Sequence, residues 1–367
     1  MKTNTTKLRR ALTAFAMTGA MLAISELCPA AEHFSTDTTI EKKNETVDAG
    51  GSKYYTAGDS VTVNADFTGS TFSNARNDSG TELSEGSIIS GGNWIITGGT
   101  FQNNSTETIN TTNSGNRSSG GAVFGSTISL KDVIFKENVA TSGNTTGTTK
   151  ACVTQALGGA VASKTDTIII FGNSTFYANK AISGHNTDQA KHFAIGGAVA
   201  GAVLNSGSVT IGQNGVKDSI LFDSNKAILA GADYDGEGAQ GGAVGTNYNS
   251  SVYIFAEADD SITFSNNLAQ SGDRAQGGAI SVGRTGNHSL TINAEDGSKV
   301  LFESNQVILE SGTRAYGGAI YVRGGSGTET DLTNITFTNN SITMNTIGGT
   351  KGQGGAVFVH RGGDLNV

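Results

Sequence analysis

The stretch Gly272-Asp-Arg-Ala-Gln-Gly-Gly-Ala-Ile-Ser-Val282 contains a motif, Gly-Gly-Ala followed by Val or Ile, that recurs along the 367-residue chain. Seven copies occur, where residue content alone would give roughly a tenth of one by chance, so the chain is internally duplicated. The first glycines are 38, 38, 45, 36, 40 and 37 residues apart, a period typical of stacked repeats. The copies begin at Gly120-Gly121, Gly158-Gly159, Gly196-Gly197, Gly241-Gly242, Gly277-Gly278, Gly317-Gly318 and Gly354-Gly355.

A second motif, Phe-x-x-Asn, alternates with the first. It begins 15 to 26 residues after each Gly-Gly-Ala copy except the last, so the motifs are constant while the interval between them varies. In five of six copies Val or Ile lies two positions before the Phe, which is the periodicity of a strand whose Phe faces inward. The pairs are Phe135 with Asn138, Phe176 with Asn179, Phe222 with Asn225, Phe264 with Asn267, Phe302 with Asn305 and Phe337 with Asn340, and Phe101 with Asn104 is an earlier copy.

The composition favours many short strands. The chain has 52 glycines, one proline and 15% charged residues, and clusters of Val, Ile, Thr and Phe lie between Gly, Asn and Ser. With the repeat, this predicts an all-β fold, a right-handed parallel β-helix (solenoid) of short stacked strands. The glycines would permit a tight corner or a close backbone approach. The Asn of Phe-x-x-Asn would occupy a left-handed corner and form a side-chain amide ladder between coils.

The repeat period leaves the number of coils open. One period of roughly 38 residues is either one coil with long loops or two compact coils. A coil of three short strands and three turns needs about 20 residues, which favours two coils. Two coils per period would give about 16 coils and a rod about 75 Å long.

Residues 1–31 have the layout of a secretory signal peptide. Lys7, Arg9 and Arg10 precede an uncharged apolar run at 11–24, which is short for a membrane span. We therefore expect an exported protein.

The remainder of the chain divides into two regions. Residues 32–95 carry weaker strand signals and are predicted to form an irregular N-terminal cap, and residues 96–367 form the repeat β-helix. Only Cys152 would remain after removal of the signal peptide, so no intrachain disulfide is expected and stability must come from the stacked core.

The charge balance is acidic. Removing residues 1–31 takes away four basic residues and one acidic residue, leaving 20 basic against 31 acidic residues, a net charge of −11. No basic cluster interrupts this acidity along the sequence, so nucleic acid is not expected as a partner.

Side chains that could carry chemistry are few and scattered. The acidic groups lie in the variable intervals, where solvated loops are the simpler explanation, and the histidines lack metal-ligand spacing. We therefore predict no enzyme activity, no catalytic residue, no metal and no cofactor. A carbohydrate-active enzyme on this fold would need at least two carboxylates on one lateral face. The acidic groups are Asp233-Asp235-Glu237, Glu257-Asp259-Asp260 and Glu295-Asp296, and the histidines are His33, His185, His192, His288 and His360.

Four of the variable intervals are long, polar and unequal in length. Such loops either contact a partner or simply tolerate insertion, and the sequence leaves both readings open. They are residues 104–119, 139–157, 180–195 and 229–240.

The two motifs at this spacing, in a Gly/Asn/Ser-rich chain with an export signal, resemble the passenger domains of the chlamydial polymorphic membrane proteins, a family of autotransporter adhesins. The resemblance covers about residues 95–360. It implies a β-helix at the bacterial outer-membrane surface or outside the cell that attaches to a host-cell protein or glycan, with the repeat motifs themselves implicated in adhesion. Family members continue into a C-terminal translocator barrel, whereas this chain ends at Val367, so we expect a fragment or a freely secreted passenger.

Two other functions fit the same fold. One is an extracellular carbohydrate-active enzyme, and the other is a structural or antigenic surface-coat protein without a host partner. An open end of the β-helix could also stack on a second copy, which makes self-association a further expectation.

Overall fold

Short parallel strands make up the described part of the chain. The computed structural model describes residues 31–49, 54–78, 83–109, 116–144, 153–184, 191–201, 206–230, 238–283, 288–324, 329–345, 351–360 and 364–366, and among these it contains strands and turns but no helix. The strands form five parallel sheets, labelled A to E here in the order in which a coil visits them. The predicted all-β parallel β-helix is confirmed.

Sheets A, B and C form three sides of each coil. Sheet A contains Glu32–Phe34, Tyr55–Ala57, Ile89–Ser90, Val123–Gly125, Val161–Ser163, Val199–Gly201, Val244–Thr246, Ile280–Val282, Ile320–Arg323 and Val357–His360. Sheet B contains Thr38–Glu41, Thr62–Asp66, Asn93–Thr97, Ile128–Lys131, Ile168–Phe171, Ser208–Ile211, Ser251–Ala256, Ser289–Ala294, Glu329–Thr333 and Asp364–Asn366. Sheet C contains Thr46–Asp48, Thr71–Ser73, Thr100–Gln102, Ile134–Lys136, Thr175–Tyr177, Ser219–Asp223, Ser261–Ser265, Lys299–Glu303 and Ile335–Thr338.

Sheets D and E form an arm attached to these three sides. Sheet D contains Arg76–Asp78, Ser105–Glu107, Val139–Ser142, Lys180–Ser183, Lys226–Leu229, Leu268–Ser271, Gln306–Leu309 and Ser341–Met344. Sheet E contains Leu83–Glu85, Arg117–Ser119, Val153–Leu157, Lys191–Ile195, Ala239–Gln240, Arg274–Gln276, Arg314–Tyr316 and Lys351–Gln353.

Each sequence repeat is one coil. Successive copies of Gly-Gly-Ala-[Val/Ile] lead into neighbouring strands of sheet A, so that Val123 pairs with Val161 and Val161 with Val199. The interpretation of one period as two compact coils is wrong, because each coil has five short sides rather than three. Ten strands stack in sheet A, which gives a rod about 45 Å long rather than about 75 Å.

Two hydrophobic cores run along the rod. The main core lies between sheets A, B and C and includes Val123, Ile128 and Phe135, all fully buried. A smaller core, made largely of alanines such as Ala275 and Ala315, lies between sheets D and E. Small residues suit this second core because the two sheets of the arm lie close together.

The phenylalanines of Phe-x-x-Asn face the main core, as the period-two pattern predicts. They stack face to face along the rod with ring centroids 4.7 to 5.3 Å apart and planes within 22° of parallel. The stack begins at Phe72, inside the region predicted to be an irregular cap. Residues 32–95 supply strands to the same five sheets, and their first coil contributes strands to sheets A, B and C only.

The Gly-Gly pair forms the corner where the chain leaves sheet E for sheet A. The first glycine of each pair has a φ between 57° and 73°, a conformation that suits glycine. In the first six pairs the second position must be glycine because a side chain would not fit there. A Cβ added to Gly278 would overlap the carbonyl oxygen of Gly318 in the next coil and the backbone nitrogen of Gln306 at the start of sheet D.

The second glycine therefore provides a direct test of the packing at this corner. Gly278→Ala should destabilise the protein by about 3 kcal/mol or more, because the clash is with backbone on two sides. Gly355 is the matched control, since an added Cβ there meets nothing within 4 Å, and Gly355→Ala should change stability by less than about 0.5 kcal/mol. Thermal unfolding followed by circular dichroism measures both. Equal effects would contradict the proposed clash.

Candidate functional site

The asparagines of Phe-x-x-Asn form a continuous buried ladder. The Nδ2 group of each donates to the Oδ1 atom of the Asn in the next coil, at 2.9 to 3.0 Å, from Asn104 through to Asn340. Each Nδ2 also donates to the carbonyl oxygen of the Phe in the preceding coil, and each Oδ1 accepts from the backbone N–H of the preceding Asn. The amides thus have partners on both sides, as buried polar groups require.

The conformation predicted for these asparagines is wrong by one residue. The left-handed residue at this corner is the one before the Asn, with φ between 52° and 59° in all seven copies. This position holds Glu137, Ala178 and Ser224 as well as Asn. The Asn is selected for its amide rather than for its backbone, which explains why it is constant while its predecessor varies.

The ladder predicts that removal of a central amide is costly. Asn225→Ala would remove the acceptor of the Asn179 backbone N–H, one of the two acceptors of the Asn179 side-chain amide, and a donor to the Phe176 carbonyl. We expect a loss of about 2 to 4 kcal/mol. Asn340→Ala, at the half-buried end of the ladder, should cost about 1 kcal/mol because water can reach the groups it exposes.

Hydrogen exchange at residues 222–228 is the measurement that separates the ladder from ordinary packing. In Asn225→Ala the amide protons of the neighbouring coils should exchange faster, whereas in Asn340→Ala they should keep their protection. Identical exchange in the two variants would rule out a ladder that depends on its central members.

Part of the predicted acidic group Glu257-Asp259-Asp260 organises turns between sheets B and C. Asp260 is 3% exposed and accepts from the backbone N–H groups of Asp218 and Glu257, both at 2.8 Å. Asp218, which the sequence did not single out, lies one coil below and accepts from the N–H groups of Gly172 and Gln213. These two carboxylates are in register across neighbouring coils, but they bind backbone donors and do not line a cleft.

Burial raises the pKa of Asp218, and the neighbouring charges of Asp260 and Glu257 add to this, while the hydrogen bonds from Gln213 and Gly172 oppose it. Since the folded-state pKa lies above the ordinary value of 3.8, the folded state binds this proton more tightly than the unfolded chain. The contribution of Asp218 to stability is therefore greatest below pH 3.8 and falls as the pH rises through the folded-state pKa.

Asp218→Asn isolates this effect. The difference in unfolding free energy between the wild-type protein and the variant should fall as the pH is raised from 3.8 toward neutrality, because only the wild type loses the bound proton. Melting temperatures across that range measure the difference. A difference that stays constant or grows with pH would contradict the raised pKa.

The outer faces of sheets A and E meet at the Gly-Gly corner and form a channel along the rod, called the A–E groove here. In the early coils the groove is filled by apolar side chains that make a third buried cluster. In the following coils it is lined by small or polar residues such as Gln240, Gly245 and Ser281. The cluster contains Phe124, Leu157, Ala162, Phe193, Ile195 and Ala200.

At its C-terminal end the A–E groove becomes cationic. Arg274, Arg314 and Lys351 occupy the same position of successive sheet E strands and pair in register. Sheet A contributes Arg323, which pairs with His360. These side chains enclose a cavity of about 290 Å³, the cationic pocket, whose remaining lining is Gln276, Tyr316, Tyr321 and Gln353.

Aromatic rings form the wall of the cationic pocket. The lining contains Tyr316 and Tyr321, whose ring centroids are 5.9 Å apart. Phe358, which is not part of the lining, stacks on Tyr316 with centroids 4.8 Å apart and planes 9° from parallel. Tyr316 and Tyr321 are 6% and 2% exposed although they lie on the outer faces of their sheets. This burial shows that the site is concave.

The cations of the pocket form no ion pair within the described part of the chain, although the charge of Asp273 acts on Arg274 and raises its pKa against the larger effect of burial. None of the described carboxylates forms an ion pair with Arg274, Arg314 or Lys351, and no carboxylate lines the cavity. The Nε of Arg274 is buried without a hydrogen-bond partner. Burial lowers the pKa of Arg274, and the charge of Arg314 lowers it further.

The expectation that no basic cluster interrupts the acidic surface is therefore wrong in three dimensions. The three cations are about 40 residues apart in sequence, and stacking places them next to each other. The signal is present in the repeat: each lies three residues before a Gly-Gly pair, at Arg274, Arg314 and Lys351. Aligning the repeats on their glycines would have revealed it.

Several predicted features lie wholly or partly outside the described residues. These are the signal peptide, Cys152, His185, the acidic group Asp233-Asp235-Glu237, and the segments 110–115, 145–152, 185–190 and 231–237 of the predicted loops. The remaining histidines are spread over the fold; His192 and His288 are buried, and His360 lines the cationic pocket.

A search of the described ranges finds no group of three or more His, Cys, Asp or Glu side chains placed to hold a metal ion. In those ranges no helix has the length and apolar character needed to cross a membrane.

Comparison with known proteins identifies one repeat. Residues 261–283 match the model of the Chlamydia polymorphic membrane protein repeat. This segment runs from Phe264 and Asn267 to Gly277 and Gly278, and so covers both motifs of one coil. The resemblance predicted from the sequence is confirmed, and the repeat with the parallel β-helix fits a surface autotransporter passenger. No curated protein and no solved structure matches the chain.

Proposed function

We propose that the protein is an adhesin-like autotransporter passenger that attaches to host cells through the edge of its D–E arm. The observation that carries the proposal is the position of the variable intervals. All four predicted loops contain the connection between a strand of sheet D and a strand of sheet E, for example 143–152 and 230–238. In one later coil the same connection shortens to Gly272-Asp273.

This common edge separates the part of each coil that is constant along the chain from the part that varies. The cores and the amide ladder require fixed residues, whereas the D–E connections change length from coil to coil without changing the register of either sheet. Loops on a rigid scaffold are the usual place for partner contacts. The repeat family is one of surface-exposed outer-membrane proteins, which supports export to a position where such contacts occur.

Binding of the labelled protein to epithelial cells tests the proposal. We expect saturable binding that unlabelled protein competes away. Replacing residues 231–237 by Gly-Asp, the short connection found at Gly272-Asp273, should reduce binding several-fold while circular dichroism stays unchanged. Replacing 202–205, between sheets A and B, by the same dipeptide is the control and should leave binding intact.

Binding no greater than that of an unrelated acidic β-protein would overturn the adhesin proposal and favour a surface-coat role. Equal loss in both loop variants would overturn the assignment of contact to the D–E edge.

A further inference from the structure

The cationic pocket places like charges beside each other, and no carboxylate of the described residues forms an ion pair with Arg274, Arg314 or Lys351. Arg274 and Arg314 are direct neighbours in sheet E, at the interstrand distance of about 4.8 Å, where like charges destabilise a sheet. Arg117 occupies the same repeat position in an earlier coil, and there Glu85 neutralises it at 2.7 Å. The fold can therefore pair a cation at this position, and in the last coils it does not.

An anion held between the guanidinium groups would offset this repulsion. Arginine binds carboxylate and sulfate oxygens through paired N–H donors. The buried Nε of Arg274 lacks a protein partner, as does that of Arg117, so this donor is available to a ligand or to water.

The rest of the lining fits a sugar ring. Tyr316 and Tyr321 line the cavity with aromatic rings, and such rings pack against apolar C–H faces. Gln276 and Gln353 supply amide donors and acceptors for hydroxyl groups. The cavity of about 290 Å³ is at the lower end of small-molecule sites, so it suits one or two sugar rings.

We propose that the cationic pocket at the C-terminal end of the A–E groove binds an acidic saccharide, a sugar of one or two rings that carries a carboxylate or sulfate group. Arg274 and Arg314 clamp the acidic group, and Tyr316 packs against the ring. The inference deepens the proposed adhesive function, and rests on it for the origin of the sugar at the host-cell surface.

The charge of the whole chain favours a short ligand over a long polyanion. The net charge is −8, and the pocket is a local exception, so a nucleic acid or long polyanion extending beyond it would meet a repulsive surface. A terminal acidic sugar places its charge inside the pocket and leaves the neutral part of a glycan outside.

Titration of the purified full chain with defined sugars, followed by calorimetry or saturation-transfer NMR, tests the proposal. The probes are N-acetylneuraminic acid, glucuronic acid and N-acetylglucosamine 6-sulfate, with neutral N-acetylglucosamine and inorganic sulfate as controls. At least one acidic sugar should bind saturably and more tightly than both controls. Its affinity should fall as salt is raised, because the interaction is between charges.

Two arginine variants locate the binding. Arg314→Gln changes an exposed side chain, so the fold should survive, and the affinity should fall by about tenfold or more. Arg117→Gln, at the same repeat position but outside the pocket, should bind like the wild-type protein. Tyr316→Ala should weaken binding of the sugars but not of inorganic sulfate.

Four results would overturn the proposal: no binding of any acidic sugar, equal affinity for the neutral sugar, sulfate binding that matches the sugars, or equal losses in Arg314→Gln and Arg117→Gln. Tighter binding of a short oligonucleotide or a phosphopeptide than of any sugar would overturn the assignment to saccharides.

Cell binding separates this proposal from the adhesin proposal. Sugar binding by a protein that does not bind cells would refute adhesion and leave the pocket assignment standing. Cell binding without sugar binding would refute the pocket assignment and leave the adhesin proposal standing.

Discussion

The absence of space at the second glycine of the first six Gly-Gly pairs is the constraint on which the rest of the fold depends. At Gly278 the backbone of one coil touches both the Gly-Gly corner of the next coil and the first residue after its ladder Asn. The chain leaves the main three-sided core at the Asn and returns to it at the glycines, so both motifs meet at one junction. Because no side chain separates the two motifs at this junction, the main core and the core of the D–E arm stack along the same axis. Each coil thereby fixes the position of the next coil.

The spacing of the repeats explains how much of the fold could be predicted from the sequence. Periodicity around Phe264 and the recurrence of the glycines predict parallel strands with inward phenylalanines, since these signals are local or repeat at a fixed spacing. The predicted number of coils is wrong because the length of a strand does not reveal how many sides a coil has. Residue preference predicts the left-handed conformation at Asn138, whereas the residue that has it is Glu137. The position that must be Asn is decided instead by the stacking of the side-chain amides.

The cationic pocket, in contrast, could not be predicted from local sequence patterns. Arg274, Arg314 and Lys351 carry no local signal, since each is a single basic residue in a polar stretch. Only the register of sheet E joins them. Outward positions of a coil are under no packing constraint from the main core, so the same repeat position holds a paired Arg117 in one coil and Phe193 in another. A β-helix can therefore change the chemistry of its groove one coil at a time without altering its scaffold.

The amide ladder has a direction. From Asn104 to Asn305 each Nδ2 donates to the Oδ1 atom of the next Asn toward the C-terminus, and the Oδ1 of Asn104 accepts from the Ala75 N–H. Each coil therefore presents an acceptor to the coil before it and a donor to the coil after it. A coil placed in the opposite orientation would bring two oxygens or two NH₂ groups together, so the ladder accepts a further coil in one orientation only.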